Sequence, residues 1–251
     1  MTRMIAMPAG FAYLAAGPRP FSAGVIARPG HRLVRVRPRN ALSLADGLGL
    51  AASHLAARGL PALALAALEL RAPAALAPEA FAAFNRDYAN LLRERGFLAG
   101  DTFPIARSNM APLFDPPRQT LLHAFTYAAP AASLPGGGPE GAADFLVSGK
   151  PELSEDPPGI VAAGDTSAAG MHAKAHFVVA ALRATTDALG GDWSLLTGAQ
   201  AYTPHPLEGA RAVLRASGLA DLGVTLVPGY PPVTGLDFEL DVRAISAELA
   251  A

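Results

Sequence analysis

Two acidic residues near the C-terminus are spaced so that they could move protons. Glu239 and Asp241 stand two residues apart in FELDV, which is predicted as a strand, so both side chains should point to one face. Two neighbouring carboxylates favour a raised pKa for one of them, and such a group can carry a proton between water and an imine carbon or a leaving amine. Pairing with Arg243 on the same face is the alternative, and it stays open.

Other polar residues form weaker candidate sites. His172 and His176 stand at positions i and i+4 of a predicted helix, a spacing that can bind a metal. No glutamate follows His172 as the zinc-protease motif requires, so we predict no metal site. Asp165, Thr166 and Ser167 stand just before the same helix, and Asp165 or Ser167 is predicted as its N-cap. A substrate-binding loop is the alternative. Tyr202 and His205 lie at the end of a predicted strand, where a side chain can project into a cleft, although packing in the core or an interface is the alternative.

The predicted elements recur in the same order in two halves of the chain. The first half has predicted strands at 21–26, 31–38 and 63–70 and helices at 41–59 and 78–96, followed by FPIARSNMAP and the strand TLLHAFTYAA. The second half has strands at 145–153, 159–164, 195–205, 223–229 and 235–249 and helices at 168–191 and 206–218. Each half therefore reads ββαβαββ, with Phe21-Ser-Ala-Gly and Phe145-Leu-Val-Ser-Gly at corresponding places, which indicates a tandem duplication. A single larger α/β domain is the alternative.

The order of these motifs resembles the Rid family, the reactive intermediate imine/enamine deaminases that are also called YjgF-like. The second half carries the likeness in FLVSGKPEL, the helix ending in ALGG, LLTGAQAYTPH and the acid-x-acid pattern of FELDV; the first half carries it in FSAGV and FPIARS. The resemblance implies an α/β (α+β) fold of tandem Rid-like, chorismate mutase-like domains at 1–130 and 144–251, with a linker at 131–143. Each domain would be a mixed β-sheet with two helices packed on one face.

The resemblance also implies a site and an assembly. In the family, an arginine in a setting like FPIARS precedes the penultimate strand and binds the carboxylate of an imino or enamino acid, a role suited to the planar guanidinium fork. By resemblance Arg107 binds the substrate, with Ser108, Asn109 and Gly149 beside it; an ion pair between Arg107 and Asp115 is the alternative. The family further implies no cofactor and a homo-oligomer, with a trimer favoured and sites between units.

The two halves differ where the site residues should repeat. The second half reads GVTLVPGYPPV and has no arginine where the first half has Arg107. The first half reads LLHAFTYAA and has no acid where the second half has Glu239 and Asp241. We therefore infer that one copy supplies the carboxylate clamp and the other supplies the acid that positions a water.

The amino-acid composition limits the kinds of partner that the protein is expected to bind. The 251-residue chain is 51% hydrophobic and 16% charged and has a formal net charge of −1, so it should be globular, with no electrostatic reason to bind nucleic acid or an anionic membrane. It has no cysteine, which is compatible with the predicted cytoplasmic location. Pro and Gly interrupt the N-terminal region, and charged residues and a proline interrupt the Ala/Leu-rich run at 41–70, so we expect neither a signal peptide nor a membrane span.

These observations predict a hydrolytic deaminase that acts on a small carboxylate substrate. Water would add to a C=N carbon and ammonia would leave. Because a tandem chain differs from the short single-unit members, we favour a specialised substrate, an enamine acid of the 2-aminomuconate type from aromatic degradation. Two alternatives stay open: a chorismatase-like hydrolase on the same fold, and a non-catalytic module that binds small carboxylates.

Overall fold

A computed structural model describes residues 3–134 and 143–251. In the first half the strands and helices are β1 (Met4–Ala6), β2 (Phe11–Ala15), β3 (Ser22–Ala27), β4 (His31–Arg37), β5 (Leu42–Ser43), α1 (Leu44–Ala56), β6 (Leu65–Arg71), α2 (Pro78–Glu94), β7 (Ala106–Pro112) and β8 (Leu121–Pro130). In the second half they are β9 (Phe145–Pro151), β10 (Leu153–Glu155), β11 (Pro158–Ile160), α3 (Ala168–Leu189), β12 (Gly198–Thr203), α4 (Glu208–Ala216), α5 (Leu219–Leu222), β13 (Val224–Tyr230), β14 (Glu239–Ala244) and β15 (Ala247–Ala250). The mixed α/β class predicted from the sequence is confirmed.

Strands of both halves join in one 13-stranded mixed sheet. Its order is β1-β2-β3-β9-β14-β12-β13-β7-β6-β8-β4-β15, with β5 beside β8 and a further bridge between β3 and β7. The strands β10 and β11 form a separate antiparallel hairpin. Because β3 pairs with β9, β7 with β13 and β4 with β15, the first half meets the second half along three seams. The site described below lies between the β3–β9 and β7–β13 seams.

The two halves share one topology. In the first half β7 runs parallel to β6, and β6, β8 and β4 follow as antiparallel neighbours; in the second half β13, β12, β14 and β9 repeat this arrangement. The counterpart of β9 is therefore β4. The sequence analysis aligned β9 with β3 through their Phe and Ser-Gly residues, and that alignment is wrong because β3 is the strand on which β9 pairs.

Three apolar clusters hold the sheet and helices together. Helices α1 and α2 cover one half with Leu48, Leu55, Tyr88 and Leu92 against β4, β6 and β8, while α3 and α4 cover the other half. The third cluster takes residues from strands of both halves, among them Tyr13, Val25, Leu33, Ala106 and Leu146. Strands such as β4 are thus buried on both faces, which explains why its Arg35 lies 4% exposed in an ion pair with Glu69.

Three local predictions need correction. The final predicted strand divides at Ile245 and Ser246, where the Ser246 hydroxyl donates to Asp144 Oδ1 at 2.7 Å, and β15 then crosses to pair in parallel with β4. Arg107 lies within β7 rather than ahead of a strand, and β1 and β2 fall in a segment for which no strand was predicted. The N-cap prediction is confirmed, because Ser167 Oγ accepts a hydrogen bond from Gly170 N at the start of α3.

Part of the predicted linker lies outside the described residues. Residues 131–133 form a short 3-10 helix, whereas 135–142 are not described, so the domain boundary at 131–143 stays a prediction. Within the described ranges, no helix is both long enough and apolar enough to cross a membrane. The cytoplasmic location stays a prediction.

Candidate active site between the two halves

A cavity of about 490 Å³ opens between the two halves of the chain. The first half contributes β3, β7 and α2 to its wall, and the second half contributes β9, the β10–β11 hairpin, α3 and the start of β14. Its polar lining includes Arg19, Arg107, Asn109, Ser148, Lys150 and Glu239. The volume lies in the range of ordinary small-molecule sites, and residues of both halves are needed to form it.

Arg107 is buried among aromatic rings on one side of this cavity. Its guanidinium carbon lies 4.4 Å from the ring centre of Phe21 and 4.7 Å from that of Tyr88, with Phe81 and Phe84 at 5.5 and 5.6 Å. The three α2 rings come together because their spacing places them on one face of the helix. Burial lowers the pKa of Arg107 to about 10, so the side chain still carries its charge at neutral pH. The rings fix the plane of the guanidinium and leave its edge for hydrogen bonding.

Two buried polar atoms on β7 lack a partner among the described residues. Arg107 Nη2 donates to Asn85 Oδ1 at 2.8 Å, whereas Arg107 Nη1 and Asn109 Oδ1 have no hydrogen bond. Both side chains line the cavity, since residues i and i+2 of a strand share a face. An unpaired buried polar atom is costly, so these two atoms mark where a ligand would donate and accept. No ion pair joins Arg107 to Asp115, the alternative partner.

Glu239 is the acid that reaches the cavity. It is 3% exposed and packs against Gly149, whose missing side chain leaves room for the carboxyl group. Burial raises the pKa of Glu239 well above its ordinary value, and the charges of Asp241 and Glu152 raise it further, against the opposing effects of Arg107 and Lys150. A carboxyl group whose pKa is raised in this way favours its neutral form, which can act as a proton donor.

A buried ionic network anchors the chain just before Glu239. Glu152 accepts hydrogen bonds from the backbone N–H groups of Asp237 and Phe238 at 2.5 and 3.1 Å. Lys174 Nζ lies 3.3 Å from Glu152 Oε1 and 3.1 Å from Asp237 Oδ2, so that the segment entering β14 is tied to α3. His205 Nε2 completes the group at 3.0 Å from Asp237 Oδ1. This network positions Glu239, and it places His205 away from the cavity lining.

Asp241 and Tyr202 are buried but do not line this cavity. Tyr202 donates to Asp241 Oδ2 at 2.6 Å, and Ser108, which points to the other side of β7 from Arg107, also hydrogen-bonds Asp241. Burial raises the pKa of Asp241, and the charge of Glu69 adds to this. Of the residues proposed from the sequence, four therefore line the cavity: Arg107, Asn109, Gly149 and Glu239. The other four do not line it: Ser108, Tyr202, His205 and Asp241.

Several residues that line the cavity or contact Arg107 had not been singled out from the sequence. Asn85 and the aromatic residues of α2 were predicted only as part of an amphipathic helix. Lys150 follows Gly149 in FLVSGKPEL, and no role was predicted for it. The stacked rings have a sequence signal, because Phe81, Phe84 and Tyr88 recur at helical spacing. His172 and His176 are exposed on α3, outside the cavity lining.

Comparison with known proteins shows the family of the chain. The model of the 2-aminomuconate deaminase CnbZ family matches residues 4–249. The chain belongs to this family. It is also 33% identical over 249 residues to 2-amino-5-chloromuconate deaminase of Comamonas testosteroni, with 96% of each chain covered. The predicted Rid-like, 2-aminomuconate deaminase-like character is thereby confirmed, and the family is one of enzymes that act on C–N bonds.

A solved structure supports the fold over most of the chain. A chorismatase crystal structure aligns with 96% of this chain and 80% of its own length at a TM-score of 0.51 and 14% identity. At that identity the likeness shows the fold alone, and it confirms the predicted chorismate mutase-like class. The YjgF gene product of E. coli aligns with 47% of this chain and 92% of its own length, at a TM-score of 0.33 and 16% identity.

Proposed function

We propose that the protein hydrolytically deaminates an enamine or imine carboxylic acid of the 2-aminomuconate type and releases ammonia without a cofactor. The observation that carries the proposal is the pairing, in one cavity, of a buried guanidinium with an unbonded Nη1 and a carboxyl group whose pKa burial raises well above its ordinary value. The family match and the deaminase from Comamonas testosteroni supply the substrate class.

The substrate's carboxylate binds at Arg107. Nη1 donates to it, and the aromatic rings keep the guanidinium in the plane of the carboxylate. Asn109 Oδ1 accepts a hydrogen bond from the substrate's nitrogen, which satisfies the second unpaired atom. These two contacts orient the carbon that carries the nitrogen toward Glu239.

Glu239 then moves protons between substrate and water. The neutral carboxyl group donates a proton to the enamine carbon, which gives the iminium form, and the resulting carboxylate takes a proton from the water that attacks the C=N carbon. A C–O bond forms, and Glu239, now neutral again, protonates the nitrogen. The C–N bond then breaks as the new hydroxyl becomes a carbonyl and returns its proton to Glu239, which gives a 2-oxo acid and ammonia. One water is consumed for each ammonia, and Glu239 ends in its starting protonation state.

The experiment is a turnover assay on freshly generated 2-aminomuconate. Ammonia, measured with glutamate dehydrogenase, should appear with one 2-oxo acid per ammonia and at a rate far above the rate without enzyme. The Glu239→Gln variant serves as the matched control, since it keeps the shape of the side chain and cannot donate the proton. Ammonia release no faster than the spontaneous reaction would contradict the proposal and would favour a non-catalytic module that binds small carboxylates.

The chorismatase-like alternative rests on a fold likeness alone. Pyruvate release from chorismate, in the absence of ammonia release from 2-aminomuconate, would favour it over the deaminase.

We also propose that the chain consists of two Rid-like units, 1–130 and 144–251, and that it self-associates, with a trimer favoured. Exposed apolar side chains near β13 and the end of β7 support self-association: Phe114 is 71% exposed, and Leu226 and Tyr230 are each 42% exposed.

A further inference from the structure

A second cation lines the same cavity and has no role in the proposed chemistry. Lys150 lies on β9 directly opposite Leu240, next to Glu239 in β14. Its side chain is half-buried, and within the described residues its ammonium makes no hydrogen bond or ion pair. Burial lowers the pKa of Lys150, and the charge of Arg19 lowers it further. A desolvated lysine without a partner at the wall of a cavity is positioned to bind an anion.

The position of Lys150 relative to Arg107 follows from β9. Ser148 Oγ accepts a hydrogen bond from the backbone N of Arg107 at 3.0 Å, which fixes β9 against β7 at the arginine. The pairing of β9 with β14 shifts register between Val147 and Lys150, and Lys150 comes two residues after Ser148, so its Cα lies at most about 7 Å further along the strand, at about 3.3 Å per residue. The two cations therefore line one cavity from separate backbone positions, Arg107 on β7 and Lys150 on β9.

Among the described residues, the acids around the cavity form no ion pair with Arg107 or Lys150. Arg19 pairs with Glu155 at 2.5 Å near the rim, where Asp156 is exposed. Burial raises the pKa of Glu239, the buried acid of the cavity, and so favours its neutral form. A ligand with a single carboxylate would satisfy Arg107 and leave Lys150 desolvated and unpaired, whereas a ligand with two carboxylates satisfies both.

We propose that Lys150 binds the second carboxylate of the substrate and thereby makes the site selective for dicarboxylic over monocarboxylic enamine acids. This inference rests on the proposed function, because it assigns the other end of the same substrate. Arg107 binds the carboxylate beside the reacting carbon. Lys150 determines the length and the charge of the substrate that the cavity can bind.

The test uses two unreactive acids that differ only at one end. In trans,trans-muconate both ends of a conjugated chain are carboxylates, and in sorbate one of them is a methyl group. Their dissociation constants are measured by calorimetry for the wild-type protein, Lys150→Met and Arg211→Met. Arg211 lies exposed on α4, so its variant removes one positive charge elsewhere.

We expect the wild-type protein to bind muconate about 10- to 100-fold more tightly than sorbate, which corresponds to about 1.4 to 2.8 kcal/mol at 1.4 kcal/mol per tenfold change. Lys150→Met should bring the two constants together by weakening muconate alone, and Arg211→Met should leave the preference intact. Equal binding of the two acids by the wild-type protein, binding of neither acid, or a preference that survives in Lys150→Met would each overturn the inference. Because no turnover is measured, ammonia release in the assay above reports separately on the proposed function.

Discussion

The role of Arg107 can be tested by removing its charge while keeping its stem. Arg107→Met retains a side chain that packs against Phe21 and Tyr88 but has no guanidinium, and Arg107→Lys keeps a charge without the planar fork. If Arg107 binds the substrate's carboxylate, either variant loses a charge-assisted hydrogen bond in a buried site. Arg183→Met is the matched control, because Arg183 stacks on Trp193 at 4.5 Å and lies away from the cavity.

The burial of Arg107 determines how much activity and how much stability its variants should lose. Losing a buried charge-assisted contact costs about 2–5 kcal/mol, which predicts a fall in kcat/KM of roughly thirtyfold to several thousandfold at 1.36 kcal/mol per factor of ten. Stability should change little or rise, because desolvation lowers the pKa of Arg107 to about 10 and so disfavours the charged form in the folded protein by about 3 kcal/mol. Loss of stacking on the rings offsets part of that relief, at about 0.5–2 kcal/mol for a cation–π contact.

The assay measures kcat/KM by ammonia release and Tm by calorimetry for all three variants. We expect Arg107→Met and Arg107→Lys to lose activity with Tm within about 4 °C of the wild-type protein, since about 1 kcal/mol shifts Tm by about 2–4 °C at this chain length. Arg183→Met should keep its activity. Near-wild-type turnover of Arg107→Met together with a Tm lowered by about 6 °C or more would refute the reasoning, because a structural ion pair costs about 3–5 kcal/mol when broken.

Four further predictions follow from the site and its surroundings. Glu239→Gln should lower kcat by about 100-fold or more. Because folding raises the pKa of Glu239, ionisation of this group destabilises the wild-type protein increasingly as the pH rises above about 4.5. The Tm advantage of the Gln variant should therefore grow from pH 4.5 upward, and a difference that stays constant with pH would contradict this. Tyr202→Phe should lower the free energy of unfolding by about 1–3 kcal/mol, measured in urea, with kcat nearly unchanged, because it removes the buried 2.6 Å hydrogen bond to Asp241, which lies outside the cavity. Light scattering should give a mass above the 25.7 kDa of one chain, and a monomer at micromolar concentration would contradict self-association. Ammonia release should survive exhaustive treatment with EDTA, and a loss that zinc restores would redirect attention to His172 and His176.

The sequence predicted the helices and strands better than it predicted which strands pair with one another. Local patterns were enough for α2, whose apolar stripe and start at Pro78 are encoded within one helix, and for the buried strand β6. They were not enough for β15, because its pairing with β4 depends on residues more than 200 positions away. The same limit applies to the site. Arg107 and Glu239 could be named from the sequence as chemical groups, but the burial that raises the pKa of Glu239 comes from β9 and the Glu152 network. Lys150 was missed because a lysine on a strand has no sequence signal until the cavity beside it is known.

The duplication allows the two halves to divide the work of one site. Arg107 comes from β7 of the first half and Glu239 from β14 of the second, and the seams where β3 meets β9 and β13 meets β7 bring them to the same cavity. A second site of the same kind would need an arginine on β13, the counterpart of β7, and an acid on β8, the counterpart of β14. The strand β13 has no arginine and β8 has no acid, although β8 carries His123, whose pKa burial and the charge of Arg71 lower to about 3. A neutral histidine without a facing arginine lacks both the clamp and the acid, so the chain should bind one substrate, which titration calorimetry can count directly.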